Sequence, residues 1–110
     1  MTKTPISERI AVELETARRA RDAGNEGMAR VCARRAAGAA ISHWLEQHPG
    51  HGWGADTMGQ LRSLAHDESA PPDVREAAAR LTARITQHFT SPFPTDPITD
   101  SRVIINHFLR

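Results

Sequence analysis

The chain has 110 residues, of which 39% are hydrophobic and 25% are charged, as is typical of one soluble globular domain. A formal net charge of +1 gives no strong overall attraction for nucleic acid, and no apolar run reaches the roughly 18 residues of a membrane span. Cys32 is the single cysteine, which excludes an internal disulfide, and residues 1–9 lack the apolar segment of a secretory signal. We therefore expect a single cytoplasmic domain over residues 1–110, with no membrane association.

The first two predicted helices form a hairpin. Thr4 is a good N-cap residue, and Pro5 suits the first position of a helix. Gly24 predicts the end of this helix, and Asn25 predicts the cap of a second helix that extends to about Gln47. The apolar residues of the first helix follow one helical stripe: Ile6, Ile10, Leu14 and Ala17.

The second predicted helix is rich in alanine. Ala33, Ala37 and Ile41 widen its apolar face, so its second half is apolar almost all round, which is typical of a central buried helix. On this face Cys32 is expected to be a small core residue. His43 is expected either to form a hydrogen bond in the core or to line a groove between helices.

A loop follows in residues 48–54, HPGHGWG, because of its proline and glycines. His48 and His51 are separated by two residues, but a metal site needs three or four ligands, so we expect a surface loop and no metal. We expect Trp53 to pack on the end of the helices. Thr57 and Gln60 form a capping-box pattern at the start of a short third helix, with apolar positions Met58, Leu61, Leu64 and Ala65.

Two further helices are predicted in the second half of the chain. The fourth has a stripe at spacings of three and four: Val74, Ala77, Ala78, Leu81, Ile85, His88 and Phe89. Three prolines interrupt the helical pattern in residues 91–97, and Asp96 and Pro97 then predict the cap and first residue of a last helix. No segment alternates with a period of two. We predict an all-α fold, a four-helix up-down-type bundle with a short fifth C-terminal helix, and no cofactor.

The sequence A-R-x-A-R-D-A-G-N-E-G-x-A-R-V-C-A-R-R-A-A-G-A-A, residues 17–40, resembles the first helical hairpin of HEPN domains. The order of the helices and a Pro-Ile-x-x-x-Arg sequence from Pro97 to Arg102 add to the resemblance. The resemblance implies a small helical bundle that commonly forms a homodimer. Many members are linked to a nucleotidyltransferase-like protein partner, and many are metal-independent RNases in toxin–antitoxin pairs. Others bind nucleotides or protein partners without catalysis.

The active members of this family carry an arginine followed, four to six residues later, by a histidine. Arg102 and His107 match this pattern with four residues between them, although Val103 stands where a polar residue is usual. The resemblance implies that His107 is the general acid or base and that Arg102 stabilises charge on the phosphate. Two side chains five residues apart on a helix point about 140° away from each other around its axis. The alternative is therefore that Arg102 and His107 are an inert pair.

Of the 14 basic residues all but Lys3 are arginine. Arg30, Arg34 and Arg35 lie on the predicted second helix as a candidate surface for phosphate groups of RNA or a nucleotide. The alternative is a solvated face, because acidic residues accompany them. The sequence thus predicts a nucleotide- or RNA-associated HEPN-like module, with RNase activity left open. The second hypothesis is a noncatalytic helical scaffold for protein–protein interaction, because the hairpin also resembles one tetratricopeptide unit.

Overall fold

The computed structural model describes residues 5–83 and 96–109, and it confirms the all-α prediction: these residues form five helices and no strand. No helix in the described ranges is both long enough and apolar enough to cross a membrane. The helices are α1 (Ile6–Asp22), α2 (Glu26–Glu46), α3 (Thr57–Ala65), α4 (Pro72–Thr82) and α5 (Pro97–Phe108). The fifth helix is not a short addition, since its 12 residues exceed the nine of α3 and the 11 of α4.

The hairpin between α1 and α2 forms as the sequence predicts. Gly24 takes a positive φ of 79°, and its N–H donates to the carbonyl of Arg21. The N–H of Asn25 reaches back to the carbonyl of Ala20, which completes a Schellman turn. The Asn25 Oδ1 atom then accepts a hydrogen bond of 3.0 Å from the N–H of Met28 and caps α2. The predicted cap at Thr4 lies outside the described residues. Pro5, predicted as the first helical residue, is instead the N-cap residue, and α1 begins at Ile6.

The second helix is the central element, as predicted. It contacts α1, α3 and α5. One face of α2 joins α3, α4 and α5 in what we call the main core, with buried residues Ala33, Ala37, Ile41, Leu61, Leu64, Ala70, Val74, Ala77, Ala78, Leu81 and Ile104. Another face packs on α1 and α5 around Ile10, Ala36, Ala40 and Ile105. Cys32 lies buried with Ala17 and Ile98, which confirms its predicted place in the core.

The start of α3 differs from the prediction. Thr57 is not the cap but the first helical residue, and Asp56 caps the helix by accepting a hydrogen bond of 2.8 Å from the N–H of Gly59. Asp56 is extended and carries a negative charge, which the partial positive charge of a helix N-terminus favours. Gln60 turns inward instead of closing a capping box, and its buried amide donates to the carbonyl of Gly54 and accepts from Ser42.

The fourth helix carries its predicted stripe, and the last helix begins where the sequence predicts. The fourth helix begins at Pro72, and its buried residues Val74, Ala77, Ala78 and Leu81 are those of the predicted stripe. The continuation of that stripe to Ile85, His88 and Phe89 lies outside the described residues. Asp96 caps α5 by accepting a hydrogen bond of 2.8 Å from the N–H of Thr99, and Pro97 is the first helical residue.

Gly38 allows α2 and α3 to pack closely, and substituting it is expected to destabilise the fold. A Cβ added there would lie 2.8 Å from Cγ2 and 2.9 Å from Oγ1 of Thr57. We expect Gly38→Ala to lower the free energy of unfolding by about 1–3 kcal/mol in a denaturant titration, because a well-packed contact would be overfilled.

Gly27→Ala is the matched control, because the nearest atom to its added Cβ is 3.9 Å away. It should leave the stability unchanged or raise it by up to about 1 kcal/mol. Adding Thr57→Ala to Gly38→Ala removes both close atoms and should restore most of the loss. A Gly38→Ala protein as stable as the wild type would contradict the close approach.

Candidate functional site

Two of the three predicted phosphate-binding arginines hold the C-terminus of α4. Arg30 is only 8% exposed, and its Nη2 atom donates to the carbonyl oxygens of Arg80 and Ala83. The Nε atom of half-buried Arg34 donates to the carbonyl of Leu81 at 2.6 Å. The last carbonyls of a helix have no partner within the helix, so basic side chains from α2 supply the missing donors.

Burial lowers the pKa of both guanidinium groups, and for Arg30 the neighbouring positive charge of Arg34 lowers it further. The negative charge of Asp100 acts in the opposite direction on Arg30. Asp100 is 2% exposed and accepts from Arg80 Nε at 3.0 Å and Nη2 at 2.9 Å. One polar network therefore joins α2, α4 and α5 at this end of the molecule.

Arg35 lies apart from this network. It is exposed and lines the groove between α1 and α2, whereas Arg30 is buried and Arg34 is half buried against α4. The three arginines do not form one exposed basic surface. Arg30 and Arg34, one helical turn apart in the sequence, donate hydrogen bonds to the C-terminus of α4. A phosphate-binding role for the three arginines stays a prediction.

Removing the buried guanidinium of Arg30 is expected to destabilise the protein. Arg30→Ala should lower the free energy of unfolding by about 2–3 kcal/mol in a denaturant titration, because charged hydrogen bonds are lost and carbonyls of α4 lose their donor. Arg35→Ala is the matched control, and it should change stability by no more than about 0.5 kcal/mol because Arg35 is exposed. Equal effects of the two substitutions would contradict the capping role of Arg30.

The predicted catalytic pair lies on α5. Arg102 is exposed, and His107 is half buried in the last turn, five residues later. That offset places the two side chains about 140° apart around the helix. The ring of His107 contacts the ring of Phe108 edge-on, at 4.8 Å between centroids.

His107 belongs to a group of six rings at one end of the molecule, which we call the ring cluster. Its members are Trp44, His48, His51, Trp53, His107 and Phe108. Trp44, near the end of α2, contacts His51 at 4.8 Å, Trp53 at 6.4 Å and Phe108 at 5.5 Å between centroids. The ring cluster thus connects α2, the loop that follows it and the end of α5.

The loop of residues 48–54 is held to α2 by its histidines. His48 stacks on Trp44 at 3.9 Å, and its Nδ1 atom lies 2.8 Å from the Trp44 carbonyl oxygen. Gly52 and Gly54 have φ values of 78° and 76°, which side-chain-bearing residues rarely adopt. Half-buried Trp53 packs against the main core, which confirms its predicted place at the end of the helices.

Asp67, in the connection between α3 and α4, lies close to two histidines of the ring cluster. Its carboxylate accepts hydrogen bonds from the Oγ of Ser69 at 2.7 Å and from the N–H of Ser69 at 3.0 Å. These hydrogen bonds lower the pKa of the Asp67 carboxyl, and the positive charges of His51 and His107 lower it further. Sequence analysis did not single out Asp67, because only the fold brings it to both histidines.

Within residues 5–83 and 96–109 no group of three or more His, Cys, Asp or Glu side chains is arranged to hold a metal ion. Burial raises the pKa of the Cys32 thiol, so the thiolate that a nucleophile requires is disfavoured.

A concave surface lies between α1, α2 and the start of α3. This groove has a volume of about 850 Å³, and half-buried His43 lines it, as one of the two expectations for this residue predicts. Val12, 59% exposed, stands in the groove with Arg35. The Oε2 atom of Glu13 is buried there without a hydrogen-bond partner among the described residues.

Comparison of the chain with protein-family models, with curated proteins and with solved structures finds no match. The resemblance to HEPN domains therefore stays a prediction from residues 17–40 and from the pattern at Arg102 and His107.

Proposed function

We propose that this chain is a HEPN-like helical bundle of up-down type that acts on RNA as a metal-independent RNase. The observation that carries the proposal is the position of His107 in the ring cluster, near the carboxylate of Asp67. An imidazole changes its charge near neutral pH and can move a proton in phosphoryl transfer without a metal. Aromatic rings beside it offer surface on which a base of unpaired RNA stacks.

Arg102 has the second role in this proposal, which is to stabilise negative charge on the phosphate. Because Arg102 and His107 point about 140° apart on α5, one copy does not present both to one phosphate. A homodimer would let Arg102 of one copy serve His107 of the other. The proposed setting is a cytoplasmic toxin–antitoxin pair in which the partner is a nucleotidyltransferase-like protein.

The first test is the cleavage of RNA by the purified protein in the presence of a chelator. Wild type should cut an unstructured RNA oligonucleotide, and His107→Ala should slow the cut by about 100-fold or more, the size of a lost general acid or base. His66→Ala is the control, since this exposed histidine ends α3 outside the ring cluster and its loss should leave the rate unchanged. If an excess of wild-type protein leaves the RNA intact, the proposed RNase activity is wrong.

A noncatalytic scaffold is the second candidate, and the groove between α1 and α2 favours it. The partner would be a protein segment with an apolar side chain that covers Val12, the exposed apolar residue of the groove.

The scaffold hypothesis predicts a partner whose binding depends on the groove. A protein retained by immobilised wild type should be lost from Val12→Asp and retained by His107→Ala. Met28→Asp is the matched control, because Met28 is also a large exposed apolar residue, at 44%, but does not line the groove. If Val12→Asp and Met28→Asp bind the partner equally, the groove is not the interface.

A further inference from the structure

We propose that His51 is a second catalytic residue, the general acid that acts with His107 on single-stranded RNA. This inference rests on the proposed function, which assigns a role to His107 alone. It adds a residue from the loop after α2, and it names unpaired RNA as the substrate class.

Ring contacts place both imidazoles at the same end of the molecule. The His51 ring packs edge-on against Trp44 at 4.8 Å and against Trp53 at 4.5 Å. The Trp44 ring also contacts Phe108 at 5.5 Å, and Phe108 contacts His107 at 4.8 Å. Two residues that are 56 positions apart in sequence are therefore linked through two shared rings.

Asp67, in the connection between α3 and α4, interacts with the same two histidines. The hydrogen bonds from Ser69 fix its carboxylate and lower its pKa. The positive charges of His51 and His107 lower the pKa of this carboxyl further. The ring contacts, rather than this interaction, place the two imidazoles at one end of the molecule.

The reaction needs two proton transfers, which explains why one histidine does not suffice. His107 takes the proton from the ribose 2′-hydroxyl, and the 2′-oxygen forms a bond to phosphorus. The bond from phosphorus to the 5′-oxygen then breaks, and His51 gives its proton to that leaving oxygen. The products are a 2′,3′-cyclic phosphate and a 5′-hydroxyl, and exchange of protons with water resets both rings.

The substrate class follows from the neighbours of His51. His51 is exposed, and the half-buried indole of Trp53 lies directly beside it. A base that stacks on an aromatic ring must be free of its own strand partner, which favours loops and single strands of RNA over duplexes.

His66 provides a control outside the ring cluster. It is an exposed histidine at the end of α3. We therefore expect His66→Ala to leave the cleavage rate unchanged. His51→Ala should lower the rate by about 100-fold or more, as expected for a lost general acid.

The decisive substrate is an RNA oligonucleotide with sulfur in place of the bridging 5′-oxygen at the cleavage site. A thiolate leaves without a proton, so this substrate does not need a general acid. His51→Ala should cut it at close to the wild-type rate, whereas His107→Ala should stay slow on both substrates. The 5′ product of the wild-type reaction should carry a 2′,3′-cyclic phosphate at its 3′ end.

Each outcome bears on the inference. If wild type cuts RNA and His51→Ala is equally fast, His51 is not catalytic, while the proposed function stands. If His51→Ala is slow on both substrates, the acid role is wrong and His51 only supports the site. If wild type cuts neither substrate, both the inference and the proposed function fail. Circular dichroism of each variant checks that the exposed loop change leaves the helices intact.

Discussion

Close packing against the small side chains of α2 is the constraint on which the rest of this structure depends. Ala33, Ala37 and Ala40 are fully buried, and Gly38 lies where the side chain of Thr57 leaves no room for a Cβ. Small residues let helices approach, but each alanine buries little apolar area. The helices around α2 therefore depend on directed polar contacts to fix their positions along it.

Those contacts come from arginine, aspartate and serine at helix ends and in the core. Arg30 and Arg34 bind the last carbonyls of α4, the Arg80–Asp100 ion pair joins α4 to α5, and Ser101 donates to the carbonyl of Ala33 at 2.9 Å. The fully buried hydroxyl of Ser101 and the nearly buried carboxylate of Asp100 are tolerated in the interior because each has a hydrogen-bond partner. Arg30 and Arg34, two of the three arginines of the predicted phosphate-binding surface, thus stabilise the fold.

The sequence predicts correctly those features that depend on residues close together in the chain. The Gly24–Asn25 hairpin, the Asp96 cap and the buried alanine face of α2 depend on residues within a turn of one another. Sequence reasoning could not find the contact of Arg30 with the carbonyl of Arg80, which lies 50 positions later. It also missed Asp67, since no spacing links it to the histidines. At the start of α3, two adjacent residues are of types that cap helices, and the charged, extended Asp56 is the cap instead of Thr57.

His107 and His51, two of the three histidines of the ring cluster, are held in different ways, and this difference bears on the roles proposed for them. His107 belongs to α5, whose first turns are fixed by the buried Asp100 and Ser101, so its position follows from a clamped helix. His51 lies in a loop with two glycines at positive φ, where ring contacts and a backbone hydrogen bond of 3.1 Å from its N–H to the His48 carbonyl hold it. General acid–base catalysis requires both groups to be positioned in the transition state. In the proposed mechanism α5 therefore positions the base, and the contacts of the loop position the acid.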